Sequence, residues 1–501
     1  MLINIPKSLK DLSKLITGNI IAKIIGFGVL LFYAKILPTE DMAIFPMYLV
    51  LNQLAFLIFS FGLFPVLIIE LPSLFKKNIN QARSLLCTGG LLLVVGTSLV
   101  NIIVLLFSSD VAELLFKDDN QSGLIKLMSF GFLATSIGNL AQYVIWANQG
   151  YWRRSSLEIM DAVIRPAFAI PLFLFTGTKG LVLGLVIAQI INTLVALFFM
   201  REVFLGGFPG FYPLSKLFRK SLPFYLESYL HYFRQNGDHL LVSILLGPSD
   251  LGVYYIAKRV FSLFSVLAMS IDRVATERLA QVKNDLKVLS LKADNFFSSL
   301  SQAIIPTIFL SISLMPILIP TFFGIKYNKA IVPSCILLAA LLIDFLRMPV
   351  HRTIYVATKS RNVLLITFID TIALLLSLII LTPFLGIIGV AGARLISQFC
   401  GGASSIWILW KQLRVLFNYK TALISIFSTV PGTFLVLKFF NNPPHELFQS
   451  LLVATSGAIC WGVIFVIIIF FFNRSLITQT TSALRSYFQW GHSKVSSRDR
   501  K

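Results

Sequence analysis

Leu246-Gly-Pro-Ser-Asp-Leu-Gly-Val-Tyr254 restates, in the second half of the chain, Leu37-Pro-Thr-Glu-Asp-Met-Ala-Ile-Phe45 of the first half. Each is a short polar turn carrying Pro and an acidic residue between two long apolar runs. At nearly the same offset, Trp146-Ala-Asn-Gln-Gly-Tyr151 falls on Val356-Ala-Thr-Lys-Ser-Arg361. About six apolar segments separate corresponding points, each long enough to cross a bilayer as a helix of roughly 20 residues. An even number of crossings means that both halves enter the membrane in the same direction. The duplication therefore predicts an all-α integral membrane protein built of two parallel six-helix repeats about an axis along the membrane normal. In that arrangement two bundles rock around a central cavity, and two extra C-terminal helices follow them.

Outward from the two turns, about fourteen apolar segments are expected, at residues 13–35, 42–64, 84–108, 123–147, 158–176, 181–200, 222–246, 251–275, 298–322, 331–355, 362–383, 386–410, 421–440 and 448–472. Lys and Arg alternate across them. One set of connections holds Lys7, Lys10 and Lys14; Lys76, Lys77 and Arg83; Arg153 and Arg154; Arg201, Lys216, Arg219 and Lys220; Arg278, Lys283, Lys287 and Lys292; Arg352, Lys359 and Arg361; Lys411, Arg414 and Lys420; and the tail. The other set is nearly bare of cations: residues 38–41, the mildly acidic 110–119, 247–250, 383–386 and 441–446. The positive-inside rule then places both termini in the cytoplasm of a multi-pass inner or plasma membrane protein.

Composition points the same way, with 56% hydrophobic and only 13% charged residues. In a soluble chain the net charge of +21 would suggest nucleic acid; here it reads as orientation and attraction to anionic lipid heads, so no nucleic-acid partner is expected. Cys87, Cys335, Cys400 and Cys460 all lie in apolar segments without metal-site spacing, and neither a disulfide nor a metal is expected. The first apolar stretch follows a basic lead, contains Lys23 and lacks a small-residue cleavage site, so it is expected to remain as the first span. The organisation that follows is an N-terminal six-helix bundle (1–205), a cytoplasmic linker (206–221), a C-terminal six-helix bundle (222–415), helices 13 and 14 (416–473) and a basic cytoplasmic tail (474–501). The connections 201–221 and 276–297 mix apolar and basic residues and are expected to lie on the cytoplasmic surface.

Ionisable residues inside spans are costly in hydrocarbon, so each is expected to face a cavity or a partner. Glu227, His231, Arg234 and Asp238 follow a 4-3-4 spacing that lines them up along one face of a helix. Asp344, Arg347 and His351 form a second such line, and Glu158, Asp161 and Arg165 a third. Asn19 and Lys23, Lys258 and Arg259, and Arg394 with Gln398 complete a set drawn from both halves. The candidate cavity cations are Lys23, Arg165, Arg234, Arg259, Arg347 and Arg394; the candidate ion-coupling groups are Glu227, His231, Asp238, Asp344 and His351. The same spacing also fits Asp161 with Arg165 and Asp344 with Arg347 as self-neutralising pairs within one helix. Lys35, Lys258, Arg259 and Arg352 also fit cations that snorkel to a nearby surface. Asp370 has no partner in its own span and is expected to find one across helices.

These residues also resemble a known family. The turn Leu245-Leu-Gly-Pro-Ser-Asp-Leu-Gly-Val-Tyr-Tyr-Ile-Ala-Lys-Arg259, preceded by Leu222-Pro223 and the in-span Asp238, is similar to the central signature of the Wzx-type polysaccharide-repeat flippases of the multidrug/oligosaccharidyl-lipid/polysaccharide superfamily. Lys35-Ile-Leu-Pro-Thr-Glu-Asp41, Phe323-Gly-Ile-Lys-Tyr-Asn-Lys-Ala330 and Gly386-Ile-Ile-Gly-Val-Ala-Gly-Ala393 resemble further elements of that family, so the likeness covers essentially the whole chain. Two positions depart from it: Ala43 stands where the family often has the Gly found at 252, and Arg394 where a small apolar residue is expected. The resemblance implies a flippase, not an enzyme. It would move undecaprenyl-diphosphate-linked oligosaccharide by alternating access, without a cofactor; Glu227, His231 and Asp238 beside Arg234 are the groups able to couple the cycle to H+ or Na+, and uncoupled transport stays open. It implies a monomer working among membrane lipids, with a polysaccharide polymerase and glycosyltransferases as partners. A lipid II flippase, also of fourteen spans and a cationic cavity, remains open. A multidrug exporter of the same superfamily fits less well, because a site for organic cations calls for carboxylates and aromatics. A polymerase or ligase enzyme fits least, since no outward connection exceeds about fifteen residues and none can fold as a catalytic domain.

Cysteines introduced singly at Thr39, Ser249 and Asn442 are expected to react with an impermeant thiol reagent added from outside, and ones at Asn78, Ser215 and Ser493 are not. Labelling of the Ser249 position only from the cytoplasmic side would overturn the parallel-repeat arrangement.

Overall fold

In a hydrocarbon environment a backbone satisfies its own N–H and C=O groups only as helix or closed barrel, and the described part of this chain is built of helices. The computed structural model describes residues 7–148, 150–204, 210–282, 285–358, 360–414, 417–440 and 447–472. The connection 441–446, residues 205–209, Lys359 and the tail from 473 onward, all read above from sequence, lie outside the described residues. The chain begins with α1 (Lys7–Ile36), α2 (Thr39–Met42), α3 (Ile44–Ile58), α4 (Leu63–Lys77), α5 (Ile79–Leu106) and α6 (Ser108–Phe116), and continues through α7 (Ser122–Ala147), α8 (Tyr151–Thr176) and α9 (Thr178–Met200). Next come α10 (Leu214–Leu246), α11 (Pro248–Ala280), α12 (Leu286–Phe323), α13 (Ile331–Ala357), α14 (Ser360–Leu413), α15 (Lys420–Phe439) and α16 (Leu447–Phe472). Among the described residues there is no strand.

Helix occupies most of each segment expected to span, and by length and apolar composition ten stretches of the described residues are able to cross a membrane. One of the ten, Arg361–Leu413, holds two expected spans: Gly386 takes φ 56° and ψ −138° inside α14, three residues after Pro383, and divides it into two arms. The charged α10 and α11 are not among the ten. Two local expectations are corrected. The segment 276–297 is not a surface-lying connection; α11 runs to Ala280 and α12 starts at Leu286, so both helices project beyond their apolar parts. Asp285 caps the second by accepting from the backbone N–H groups of Lys287 and Val288 at 3.0 and 3.1 Å. The span expected over 42–64 is interrupted as well, with Phe61 at φ 45° and Gly62 at φ 71° turning the chain from α3 into α4.

The chain forms two compact units, one of residues Met1–Ile256 with Thr371–Ala393, the other of Ala257–Asp370 with Arg394–Lys501. In the first, small residues let helices approach closely, as expected where lipid removes the hydrophobic drive for helix association. A Cβ on Gly184 would lie 2.6 Å from the backbone nitrogen of Ala169, so α9 and α8 are in near-backbone contact there. Thr193 Oγ1 donates to the carbonyl of Ala134 at 2.7 Å, joining α9 to α7, and the Thr97 and Ser136 hydroxyls meet at 2.9 Å between α5 and α7. The Phe61-Gly62 turn seats α10: a Cβ on Gly62 would sit 2.8 Å from Tyr225 N, and Tyr225 Oη donates to the Ile58 carbonyl left open at the end of α3 at 2.7 Å. Lys220 donates to Glu70 at 2.5 Å, tying α10 to α4, and this hydrogen bond raises the lysine's pKa above its ordinary value.

The second unit is organised on α12, against which α13, α15 and α16 pack. Phe297 meets Phe417 and Tyr419 with ring centroids 5.6 and 5.2 Å apart, and the Asn418 N–H donates to Asp294 at 2.7 Å. Between α15 and α16 the buried Trp461 donates its indole N–H to Thr433 Oγ1 at 3.0 Å, beside Gly432, where an added Cβ would be 3.0 Å from the indole.

Candidate functional site

α10 is unbroken from Leu214 to Leu246, so Glu227, His231, Arg234 and Asp238 fall along one face as their spacing predicts. Burial is graded along that face. Glu227 and His231 are exposed, Arg234 is half-buried within electrostatic reach of His231, and Asp238 is only 3% exposed. Asp238 is held at its deep end, where Tyr254 Oη of α11 donates to Oδ2 at 2.8 Å and the His239 N–H donates to Oδ1 at 2.9 Å. Tyrosines on the neighbouring positions fix the orientation of α10 on α3. Tyr232 donates to the Val50 carbonyl at 3.0 Å, the hydroxyls of Tyr225 and Tyr229 meet at 2.9 Å, and Asn236 donates to Gln53 at 2.8 Å.

In the same unit α1 lies along α8. Lys23 is exposed on α1 and within electrostatic reach of Glu158, which also pairs with Arg154 at 3.5 Å. Arg154 stacks over Trp146 at 4.6 Å. Further along α8, Arg165 Nε donates to Asp161 Oδ1 at 2.7 Å, and its Nη2 donates to Gln189 Oε1 at 3.3 Å. Asn192 donates to the same Asp161 oxygen at 3.1 Å. Arg165 is thus half-buried in a polar knot made by α8 and α9, with Tyr33 and Tyr48 in electrostatic reach.

The second unit repeats the pattern with a stronger clamp. Arg347 is held by two carboxylates, Asp344 three residues earlier at 2.9 Å and Asp370 of α14 at 3.1 Å. Asp370 is 1% exposed and also accepts from the Ser397 hydroxyl across the break in α14. An added Cβ on Gly401 would overlap Arg347 Nη1 and lie 3.2 Å from Asp370 Cγ, so the guanidinium packs close against α14 at that glycine. His351, Arg259, Lys258 and Arg394 are half-buried, and Gln398 is 4% exposed.

Within each unit the structure brings some candidates together: Lys23 with Glu158, Arg165 with Asp161, Arg234 with His231, and Arg347 with Asp344. The helical spacing anticipated the pairs on α8 and α13, and Asp370 takes its partner across helices as expected. Spacing missed several partners that come from other helices. Arg352 reads from sequence as a surface cation, yet both of its guanidinium arms reach Asp272 of α11, a carboxylate that no pattern singles out. Gln189 and Asn192 also escape the spacing argument; amides in an otherwise apolar segment were the available signal.

Taken together, the apolar helices and the charges paired inside them define a polytopic membrane protein. Residues 32–332 match the family described as "Polysaccharide biosynthesis protein", and the chain belongs to that family. In solved structures the fold is similar to the lipid II flippase MurJ in an inward closed conformation, at 15% identity and a TM-score of 0.73 over 92% of this chain and 99% of that one. It is also similar to an inward-facing multidrug resistance MATE family transporter, at 13% identity and a TM-score of 0.62 over 82% of this chain and 98% of that one. A third is the MATE multidrug transporter DinF-BH, at 15% identity and a TM-score of 0.54 over 84% of this chain and 97% of that one. Among curated protein sequences none matches this chain.

The clamp on Arg347 leads to a stability prediction. Removing one partner of a buried ion pair strands the other charge at a cost of about 3–5 kcal/mol, whereas an apolar residue of similar size in place of the cation avoids that penalty. Arg347→Ala is therefore expected to lower the unfolding temperature in detergent more than the double change Arg347→Met with Asp370→Asn. Equal melting temperatures for the parent and Arg347→Ala would show that the clamp contributes nothing to stability.

Proposed function

We propose that the chain moves an undecaprenyl-diphosphate-linked oligosaccharide repeat unit from the inner to the outer leaflet by alternating access, for cell-surface polysaccharide. The observation that carries this reading is the combination of polysaccharide-family membership with in-span cations on a flippase-superfamily fold. A diphosphate is the one part of such a cargo that a membrane interior must balance electrostatically, and Arg forks and Lys point charges are the side chains suited to it. Arg234 and Lys23 are the strongest candidates, each lying well inside its apolar segment, Arg234 on the graded polar face of α10 and Lys23 exposed on α1. Arg165 and Arg347 are engaged by close carboxylates and stand second. Arg259 and Arg394 complete the proposed set. The sugars follow the diphosphate while the polyprenyl tail stays in lipid.

In this proposal residues 1–205 and 222–415 act as the two moving bundles, and α15 and α16 serve as scaffold or as a groove for the tail. The protein resides in the inner membrane as a monomer with both termini in the cytoplasm, beside the glycosyltransferases that build its cargo and the polymerase that consumes it. The carboxylate and imidazole groups of the α10 face, Glu227, His231 and Asp238, couple the cycle to H+ or Na+, because a carboxylate beside Arg and His changes its proton affinity as its surroundings close. A second reading, transport of lipid II, is favoured by the similarity to MurJ over nearly the whole length of both chains. The two cargoes share the diphosphate and differ in the sugar.

Arg234→Ala and Lys23→Ala are each expected to lower flipping in proteoliposomes by about tenfold or more, the loss of a hydrogen bond to a charged group, with membrane expression unchanged. Normal transport by Arg234→Ala would remove the proposed diphosphate site. Running the same assay with fluorescent polyprenyl-diphosphate oligosaccharide and with fluorescent lipid II separates the two cargoes by which one is flipped.

Coupling is read with an imposed gradient. Glu227→Gln or Asp238→Asn is expected to keep cargo binding and abolish the dependence of flipping on a proton or sodium gradient, since the amide keeps the shape and loses the titratable charge. Unchanged gradient dependence in both variants would move coupling to Asp344 and His351.

A further inference from the structure

α10 is polar around more than half of its circumference. At about 100° per residue, Arg234, Asp238, His231, Gln235, His239 and Asn236 follow one another round the helix in that order, over an arc of roughly 200°. Leu222, Leu226, Leu230 and Phe233 fill the remaining arc, and Leu222 and Leu226 are exposed there, as expected of a face turned to lipid. The two ends of the polar arc differ in kind. One end carries the Arg234 cation. At the other, Asn236 meets Gln53 of α3, its Nδ2 donating to Gln53 Oε1 at 2.8 Å, and Gln235 lies beside Asn236 in the chain. Gln53 and Gln235 are exposed and Asn236 is half-buried.

A primary amide offers two N–H donors and one acceptor oxygen. The bond between the two side chains uses one N–H of Asn236 and the oxygen of Gln53. Among the described residues, the N–H groups of Gln53 and the oxygen of Asn236 take no further hydrogen bond. Both residues lie within segments expected to span, where amide groups left in that state are costly against hydrocarbon. Their exposure therefore marks a surface turned to water. The pair is not needed to hold α10 on α3, because Tyr225 and Tyr232 already do so through the carbonyls of Ile58 and Val50 at 2.7 and 3.0 Å. Neighbouring amide donors and acceptors match the neighbouring hydroxyls of a pyranose, each of which both donates and accepts. A helix with its side chains is about 10–12 Å across, so the two ends of the arc are separated by about the length of two sugar rings.

We infer that Gln53, Gln235 and Asn236 form a sugar-hydroxyl subsite at the amide end of the α10 arc, which binds the first sugars of a cargo whose diphosphate is held at Arg234. The subsite rests on the lipid-linked oligosaccharide reading above and supplies what the cations do not. A diphosphate is common to both cargoes, so charge at Arg234 does not tell them apart, whereas neutral amides read the glycan.

The test measures binding of three fluorescent probes to the full chain in nanodiscs: undecaprenyl diphosphate, its chitobiosyl form and lipid II. The parent is expected to bind at least one glycosylated probe about tenfold more tightly than the bare diphosphate, the yield of one or two neutral hydrogen bonds. Gln53→Leu and Asn236→Leu are each expected to weaken that glycosylated probe about fivefold, one such bond, with the bare diphosphate bound as by the parent. Gln235→Leu is expected to act in the same direction. Exchanging the pair, Gln53→Asn with Asn236→Gln, keeps both amides and is expected to restore the preference. Arg234→Ala is expected to weaken all three probes alike, and so would a general loosening of α10 on α3, so the ratio of glycosylated to bare affinity separates sugar recognition from packing. Equal affinity of the parent for all three probes overturns the subsite. So does a glycan preference that survives both Leu variants, or a loss in them that falls equally on all three probes. If the preference survives while a glycosylated probe is flipped in proteoliposomes, the transport reading stands without the subsite. If both Leu variants lose the preference but the parent flips none of the probes, the subsite stands and the transport reading falls.

Discussion

A charge placed inside the membrane part of this protein has to meet a partner or a polar cavity, and that requirement organises much of what the structure shows. Arg347 is the clearest case. Its guanidinium meets Asp344 on its own helix and Asp370 on the next, and α14 offers a glycine at the point of closest approach. Asp370, almost wholly buried, is tied in turn to Ser397 beyond the break at Gly386. A single cation thus joins α13 to both arms of α14. Arg165 with Asp161, Gln189 and Asn192 does the same for α8 and α9, using amides where the second carboxylate would otherwise stand.

The same requirement ranks the cations as partners for a cargo. A guanidinium between two carboxylates has most of its field cancelled, and attracts an anionic ligand only if one of them is displaced. Arg234 stands in a different setting, on a helix face that passes from the exposed Glu227 and His231 to the buried Asp238, and Lys23 is exposed on α1. The proposed diphosphate site gives Arg234 and Lys23 precedence because each lies deep in its apolar segment, a ranking already legible in the sequence. Solved structures with similar folds include both a lipid II flippase and multidrug transporters, so the fold does not select the cargo.

Close helix approach is the second structural theme. Gly184 on Ala169, Gly62 under α10, Gly401 under Arg347 and Gly252 on Thr39 are four places where a methyl group would collide with its neighbour. Without a hydrophobic drive between helices in lipid, such small-residue contacts set which helix surfaces meet. One of the four, at Gly401, coincides with the charge clamp on Arg347.

What the sequence determined by itself was whatever depends on local periodicity and on the bilayer as solvent: helices over the expected segments, the alignment of Glu227, His231, Arg234 and Asp238 along α10, and the pairs Asp161–Arg165 and Asp344–Arg347. These follow from the 3.6-residue repeat and the cost of charge in hydrocarbon, which act within one helix. The partner of Asp370 could be expected only as some residue of another helix, and the match of Arg352 to Asp272 was not legible at all. The interruption of the second span at Phe61-Gly62 was equally hidden, because an apolar run looks the same whether or not α10 presses against its middle. Those features were decided by tertiary structure, since which faces of distant helices meet depends on packing complementarity among side chains far apart in the chain, and no local spacing records it.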